Sequence, residues 1–423
     1  MKILWIVNML LPDVADYLGV QTGASGTWMI DISRALSTTP NIELAVACVH
    51  GNEYKKIKHN SITYYLLPGT GKNMLFYTKK YEKLWAKIND DFAPDIVHLH
   101  GTEYSHGLSF MRACPDVKSV VSIQGILNKI KDVDFGEIPL RHFIFGRTIK
   151  QNLHMSGEIE LHFIHKKNAK YESEMLKRAK YINGVNTWDI SLCKSINPEL
   201  KTFKIEYNLR EGFYDAKKWS VDTMQRYSIF TNPAGVPLKG LHMLLRAVAL
   251  IKPQYPDVKV YVPGMTTGNG KLAVTGAYAR YIAKLISKLG IEENVEFVGR
   301  LNEQEMIDRM LNSNAVVIPS AIEGTSLILR EAMYLGCPCV ASFRGGMCDF
   351  VSDREDGFLY DFSEYSFLAA RLSQIFESDD LCVRLSNNAI EKTKIAHDRE
   401  NNKNKYLEMY KLIFENDIER EVL

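Results

Sequence analysis

Apolar residues in this chain arrive in short β-branched runs. Ile3–Val7, Leu44–Val49, Asp95–Leu99 and Lys118–Ile123 form a first series. Tyr227–Thr231, Val258–Val262, Val295–Val298, Ala315–Ile318 and Cys339–Ala341 form a second. Continuous apolar runs of this length predict strands buried on both faces of a parallel sheet. Between them the spacing turns helical. Asn73–Phe92 carries Leu75, Phe76, Tyr81, Leu84, Trp85 and Ile88 near helical spacing, and Leu238–Ile251 and Ala277–Leu289 repeat the pattern. Asn302 with Glu305 three residues on predicts a capped helix start. Strand and helix alternate throughout, so the predicted class is α/β with Rossmann-like layers.

Two strand series predict two domains. Polar and turn residues cluster over 206–222, which places the boundary there. The expected division is 1–207, joined by a returning helix at about 399–418, and 208–398. Thr187-Trp188-Asp189 opens a further helix, where Trp188 either stacks on a sugar or packs into the core.

Composition narrows the class. The chain has 423 residues, 46% hydrophobic and 24% charged, which is ordinary for a folded globular protein. A net charge of +2 gives no case for a nucleic-acid coat. Seven cysteines without a Cys-x-x-Cys pair, and no Asn-x-Ser/Thr acceptor, point to a reducing, cytoplasmic setting. The opening Met1–Asn8 reads as a strand, because Asn8 breaks the apolar stretch and Pro12-Asp13 stand where a cleavage site would lie. No run of 18 apolar residues suggests a membrane span, so any membrane contact is peripheral. Residues 129–180 hold 11 Lys/Arg against 7 Asp/Glu with aromatics between. This stretch is either a solvated helical excursion or a surface facing anionic lipid.

The stretch 318–338 carries the candidate chemistry. A buried strand ends at Ile318; Gly324 turns the chain; Thr325 or Ser326 caps a helix that Gly336 and Pro338 end. A strand end feeding a helix start is where α/β sheets bind ligands, and its free N–H groups favour anions. Glu331 stands in an apolar stripe of Leu327, Ile328, Tyr334 and Leu335. A carboxylate there is either paired with an Arg or an amide, or held for a diol ligand. Glu323 lies eight residues earlier, facing the crevice.

These residues resemble the E-x7-E signature of retaining glycosyltransferases of family 4. The resemblance rests on Glu323–Glu331 with Ala332-Met333 and Gly336-Cys337-Pro338. It extends to Ala341–Gly346, Asp353–Leu359, Phe297–Leu301 and Lys239-Gly240, and covers roughly residues 228–360. It implies a GT-B architecture, two Rossmann-like domains facing a central cleft. The C-terminal domain would bind the nucleotide sugar and the N-terminal one the acceptor. It implies Glu331 on the ribose, Glu323 on the donor sugar and Lys239 on the diphosphate. Gly324, Thr325, Ser326 and Leu327 would add backbone N–H groups. Gly299 is either a simple turn or a place where the base packs on backbone, and Arg300 is a further donor-binding candidate. It implies no cofactor and no metal.

The implied function is transfer of a sugar, with retention, from a nucleoside diphosphate sugar to a glycan or lipid-linked glycan. The setting would be surface-polysaccharide assembly at the cytoplasmic membrane face. The partners are the donor, the acceptor and an anionic membrane surface, with no nucleic acid. An inactive GT-B binding subunit and a GT-B sugar-nucleotide epimerase are the alternatives. No Arg stands five residues before Lys239, where the family commonly has one; either Lys239 and the amides suffice or another cation enters, with Arg300 and Arg344 as candidates.

The N-terminal half offers a glycine loop, with Gly23, Ser25 and Gly26 as phosphate- or acceptor-side candidates. His100 and Glu103 end one strand and Gln124 follows another, as candidates lining the cleft. Gln124 stands where the family often carries a His. It hydrogen-bonds hydroxyls but gives no proton at neutral pH. His98 and His100 share a strand face, yet no third metal ligand follows at a recognisable spacing.

Overall fold

In the computed structural model the described residues are 1–20, 26–232, 235–266, 268 and 270–416. They form two compact units, the first of residues 1–131, 164–210 and 397–423 and the second of residues 132–163 and 211–396.

The first unit is built on an eight-stranded sheet. Its strands are β1 (Lys2–Ile6), β2 (Glu43–Val49), β3 (Lys55–His59), β4 (Ile62–Leu67), β5 (Ile96–His100), β6 (Ser119–Ser122), β7 (Tyr181–Gly184) and β8 (Lys201–Lys204). Their order is β3-β4-β2-β1-β5-β6-β7-β8, and every pairing is parallel except β3 with β4. Alternate residues of β1 feed opposite cores. Ile3 and Trp5 pack with the helices Thr27–Ser37 and Arg399–Glu415; Leu4 and Ile6 pack with Lys80–Phe92. Burial on both faces is why the run reads as continuously apolar.

The second unit holds β9 (Gln225–Thr231), β10 (Lys259–Pro263), β11 (Val295–Gly299), β12 (Ser313–Ile318), β13 (Cys339–Ser342) and β14 (Phe358–Tyr360). All pair in parallel, in the order β11-β10-β9-β12-β13-β14. Each sheet reverses its winding once, between β1 and β5 and between β9 and β12. Open α/β sheets bind ligands beyond the strand ends at such a point.

Several expectations are corrected. Residues 73–92 are not one helix: a 3-10 turn spans Gly71–Met74, and the α-helix begins only at Lys80. Asn73 closes a capping box with Thr70, which fixes the start of this turn, and the turn is capped at Leu75. The expected helix from Leu238 starts at Leu241, because Gly240 takes a left-handed φ of 70° after a 3-10 turn over Pro237–Lys239. Residues 132–163 do not belong with the first unit. Gln151 Oε1 accepts from Ala277 N at 3.1 Å and Glu158 Oε1 from Tyr278 N at 3.0 Å, which fastens the excursion to the start of the helix Ala277–Leu289. Trp188 packs against the first unit's core. Among the described residues no helix is long and apolar enough to cross a membrane.

Candidate functional site

The candidate catalytic pair lies at the winding reversal of the second sheet. β9 ends at Thr231 and β12 at Ile318, and the two strands are neighbours. The loops that follow them are stitched together. Gly240 lies so close to Pro319 that a β-carbon on it would stand 1.7 Å from the Pro319 carbonyl oxygen. That approach lets Ala321 N donate to Leu238 O at 2.8 Å. Lys239 is held one residue away. Its Nζ donates to Glu323 Oε1 at 2.6 Å.

The same oxygen accepts from Ser320 Oγ at 2.7 Å, and Ser320 Oγ accepts from Asn232 Nδ2 at 3.1 Å. The Glu323 backbone is clamped as well, since Gly346 N donates to Glu323 O at 2.8 Å. Gly345, at φ 69°, approaches so closely that a β-carbon there would meet Glu323 O at 2.1 Å. The Lys239 side chain keeps 33% of its surface exposed and Glu323 keeps 11%. The pair is therefore rigidly placed yet reachable from solvent.

Ser326 is the N-cap of the helix Leu327–Leu335; its side chain accepts from Leu329 N at 3.4 Å. Gly324, Thr325 and Leu327 are half-buried around it. Thr325 Oγ1 is out of contact with solvent and has no hydrogen-bond partner among the described residues. The positive end of the helix dipole and its first N–H groups lie at this turn. Glu331 is buried at 1% exposure on this helix. The expectation of one apolar stripe is too narrow. Leu329, Arg330, Glu331, Ala332 and Met333 are all buried in succession, because the helix packs on β12, β13 and Asp379–Ala396. Arg330 stacks on Phe350 at 5.1 Å.

Other candidates stand apart. Gly299, at φ 79°, and the exposed Arg300 end the edge strand β11. Two strand spacings separate β11 from β9, roughly 10 Å. Arg344 is ion-paired with Asp361 at 3.3 Å.

Sequence reasoning missed the wall behind Lys239. His242 is buried. Its Nε2 lies 2.8 Å from Gly136 O and its Nδ1 3.2 Å from Tyr278 Oη. Burial lowers its pKa to about 4, so the ring is neutral. A β-carbon on Gly136 would meet Pro237 O at 2.5 Å. Val133 joins Leu238, Met243, Ala321 and Phe362 in one apolar cluster. The excursion thus backs both loops of the site; in sequence it shows only as an irregular basic stretch with interspersed aromatics, with nothing to tie Gly136 to His242.

The first unit brings a second set of residues to its own reversal point. Asn8 follows β1, Gly101 and Glu103 follow β5, and Gln124 follows β6. Asn8 Nδ2 donates to Gln124 Oε1 at 3.3 Å. A β-carbon on Gly101, at φ 86°, would lie 2.7 Å from Glu103 Oε2 and 2.9 Å from Gln124 Oε1, so these groups converge. Asn8 Oδ1, Gln124 Nε2 and Glu103 Oε2 have no partner among the described residues. Burial pushes the Glu103 carboxyl up to about 7, with the charges of Glu172 and Asp189 adding to the shift.

Glu172 holds the loop after β6. Its carboxylate accepts from Leu127 N, Asn128 N, Asn128 Nδ2 and Thr102 Oγ1 at 2.7–2.9 Å. His100 is buried and stacks on His98 at 4.0 Å. Burial holds its pKa down at about 3. Both ring nitrogens of His98 are taken, by Tyr410 Oη and Ser122 Oγ, each at 2.7 Å, so the two histidines do not act as a metal pair. Gly26, at φ 83°, opens the helix Thr27–Ser37, whereas Gly23 and Ser25 lie outside the described residues.

Residues 215–392 match the family model described as glycosyl transferases group 1. A D-inositol 3-phosphate glycosyltransferase of Corynebacterium urealyticum is 31% identical over 145 residues, 34% of this chain and 33% of that protein. An uncharacterised glycosyltransferase of Bacillus subtilis is 25% identical over 46% of this chain and 51% of its own length. The match therefore spans about a third to a half of these curated relatives. Among solved structures, sucrose-phosphate synthase of Thermosynechococcus elongatus superposes with a TM-score of 0.73 at 15% identity, covering 99% of this chain and all of that one. Anabaena HepE in complex with UDP-glucose gives 0.67 at 17% identity, covering 97% and 99%. The chain thus has two parallel-sheet Rossmann-like domains, and its structural neighbours are GT-B glycosyltransferases.

Proposed function

We propose that this protein is a retaining glycosyltransferase. It moves a sugar from a nucleoside diphosphate sugar to a hydroxyl of a glycan or lipid-linked glycan, in surface-polysaccharide assembly at the cytoplasmic membrane face. The observation that carries this reading is the Lys239–Glu323 pair, 2.6 Å apart at the reversal point of the second sheet, inside the stretch matched as glycosyl transferases group 1.

In this reading the diphosphate lies against Lys239 and the first N–H groups of the helix Leu327–Leu335. Glu331 takes the ribose hydroxyls and Glu323 a hydroxyl of the donor sugar. The anomeric C–O bond to the diphosphate breaks while the acceptor oxygen bonds on the same face, and the acceptor proton leaves with the diphosphate. The chain then supplies charge and position rather than a nucleophile. The two-donor hold on Glu323 Oε1 supports this, because it fixes the carboxylate without waiting for substrate. The structural neighbour HepE is described in complex with UDP and with UDP-glucose, so a UDP-sugar is the first donor to try.

The test is a thermal-shift panel with UDP, GDP, ADP and their sugar conjugates on wild type and Glu331→Ala. Ligand at about 100 times its Kd stabilises by roughly 2.7 kcal/mol. One nucleotide series should raise the wild-type midpoint and lose its effect in the variant. A folded protein stabilised by none of them would sink the reading. Product of inverted anomeric configuration by NMR would remove retention alone.

A further inference from the structure

Resting on the membrane-face setting of the proposed function, we propose that the excursion 132–163 is a docking face for an anionic lipid bilayer, with a basic pocket for the lipid phosphate beside an exposed apolar ridge.

The ridge is the first observation. Among the described residues eighteen large hydrophobic side chains are exposed, and eight of them fall within residues 140–163. Scattered exposed apolar residues need no explanation, but such concentration marks a contact surface. Phe145 is 83% exposed, Ile149 80% and Leu153 77%. Their direction follows from helix geometry. In the short helix Ile149–Leu153 the buried Gln151 is the inner anchor, bonded to Ala277 N and boxed with Thr148. Residues two positions before and after it point about 200° away at 3.6 residues per turn. Those residues are Ile149 and Leu153, which therefore share the outer face, with Lys150 beside them.

The pocket is the second observation. A cavity of about 250 Å³ is lined by Arg141, His142, Phe145, Arg280, Tyr281 and Lys284, together with two small residues. No carboxylate lines it. Burial and the positive charges of Arg141 and Lys284 lower the pKa of His142, which agrees with unneutralised cations at short range. Phe145 belongs to both the pocket and the ridge, so a bound phosphate would sit where the aromatic ring enters the acyl boundary.

Charge selects the occupant. Four of the five acids of the excursion bond within their own unit, the exposed Asp132 being the fifth, and none lines the pocket. Glu160 pairs with Arg147 at 2.7 Å, Glu158 takes Tyr278 N, Asp134 faces His162 at 2.9 Å and Glu137 accepts from Ser363. Arg141 and Lys150 are left exposed among the apolar side chains. Cations interleaved with aromatic and aliphatic groups suit a negatively charged lipid surface better than a protein patch of fixed shape.

The test is flotation of the full chain with vesicles of phosphatidylglycerol and phosphatidylcholine, against phosphatidylcholine alone. Two variants accompany it, Phe145→Glu with Leu153→Glu, and Arg141→Glu with Lys284→Glu. Thermal midpoints and far-UV spectra of both variants test whether each remains folded. Wild type should float with the anionic vesicles, and each double variant should lower its partition coefficient by about tenfold or more. Wild type that stays in solution with both vesicles would overturn the proposal. So would equal binding to the neutral vesicles, or unchanged flotation of the folded variants. Sedimentation velocity covers the other occupant: a wild-type dimer that both variants abolish, without vesicle binding, would make the face a contact between copies and overturn the bilayer reading.

Discussion

A β-carbon on Gly240 would stand 1.7 Å from the carbonyl oxygen of Pro319. Gly240 also takes φ 70°, a conformation costly for L side chains. Gly240→Ala must therefore push apart the two loops that carry Lys239 and Glu323. The expected loss is about 2 kcal/mol or more in urea unfolding. Nucleotide-dependent stabilisation should fall with it. An alanine variant as stable as wild type would show that the two loops are not held by this approach.

Lys239 and Glu323 form one unit, so their substitutions should not add. Lys239→Ala and Glu323→Gln are each expected to cut kcat/KM by about 10²-fold, the size of losing one preorganised charge contact. The double variant should be little worse than the poorer single. Stability should change by no more than about 1 kcal/mol, since the pair is partly solvated. Multiplicative losses in the double variant would show that the two side chains act independently.

How much of this was legible in sequence depended on the range of the cause. The strands β1, β2, β5, β6, β9, β10, β12 and β13 carry mostly apolar runs, because a parallel sheet buries both faces, whereas the edge strand β11 buries only Phe297. β3, with the sequence Lys-Lys-Ile-Lys-His, is an exposed edge strand and leaves no such mark. Lys239 and Glu323 stood out because each sits in a turn between a strand and a helix. Ser320 and Asn232, which complete the hold on Glu323, did not, since small polar residues follow many strands. Their pairing depends on an 88-residue separation closed by the approach of Gly240 to Pro319. The excursion read as a break in the rhythm. Its place in the second unit rests on His242 with Gly136, 106 residues apart, and on Gln151 with Ala277, 126 apart, which no local spacing encodes.

Glu103 should give the protein an unusual pH dependence of stability. Its folded pKa is about 7, against 4.5 for the free side chain. Between those values the folded state holds a proton that the unfolded chain has released. This carboxyl therefore lowers stability as pH rises from 4.5 to 7, by no more than about 3 kcal/mol. The buried His100, His106 and His242, with pKa values lowered to about 3, 4 and 4, act in the opposite sense. They weaken the fold as pH falls below 6.5, when the unfolded imidazoles take up protons. The difference between wild type and Glu103→Gln isolates the carboxyl. The variant should gain stability relative to wild type as pH climbs from 5 to 8, read by urea midpoints at each pH. Parallel profiles would mean that Glu103 ionises normally.

Tyr410 ties the helix Arg399–Glu415 into the first unit through a buried polar chain. Trp5 Nε1 donates to its hydroxyl at 3.0 Å, and His98 Nδ1 lies 2.7 Å from the same oxygen. The chain continues from His98 to Ser122 and on to Asn183, whose Nδ2 donates to Ser122 Oγ at 3.2 Å. Trp5, His98 and Tyr410 are all sealed from solvent. Tyr410→Phe keeps the ring and its packing but leaves the indole N–H and one imidazole nitrogen without their partner. Each such buried group costs about 1–3 kcal/mol. The loss should be local, because no residue of the second unit belongs to this chain. Hydrogen exchange over residues 399–415 should accelerate, and limited proteolysis should clip there first. Stabilisation by nucleotide, which the second unit supplies in the proposed mechanism, should persist. Exchange that stays as slow as in wild type would show that apolar packing of Tyr406, Met409 and Ile413, rather than the hydroxyl, holds the helix.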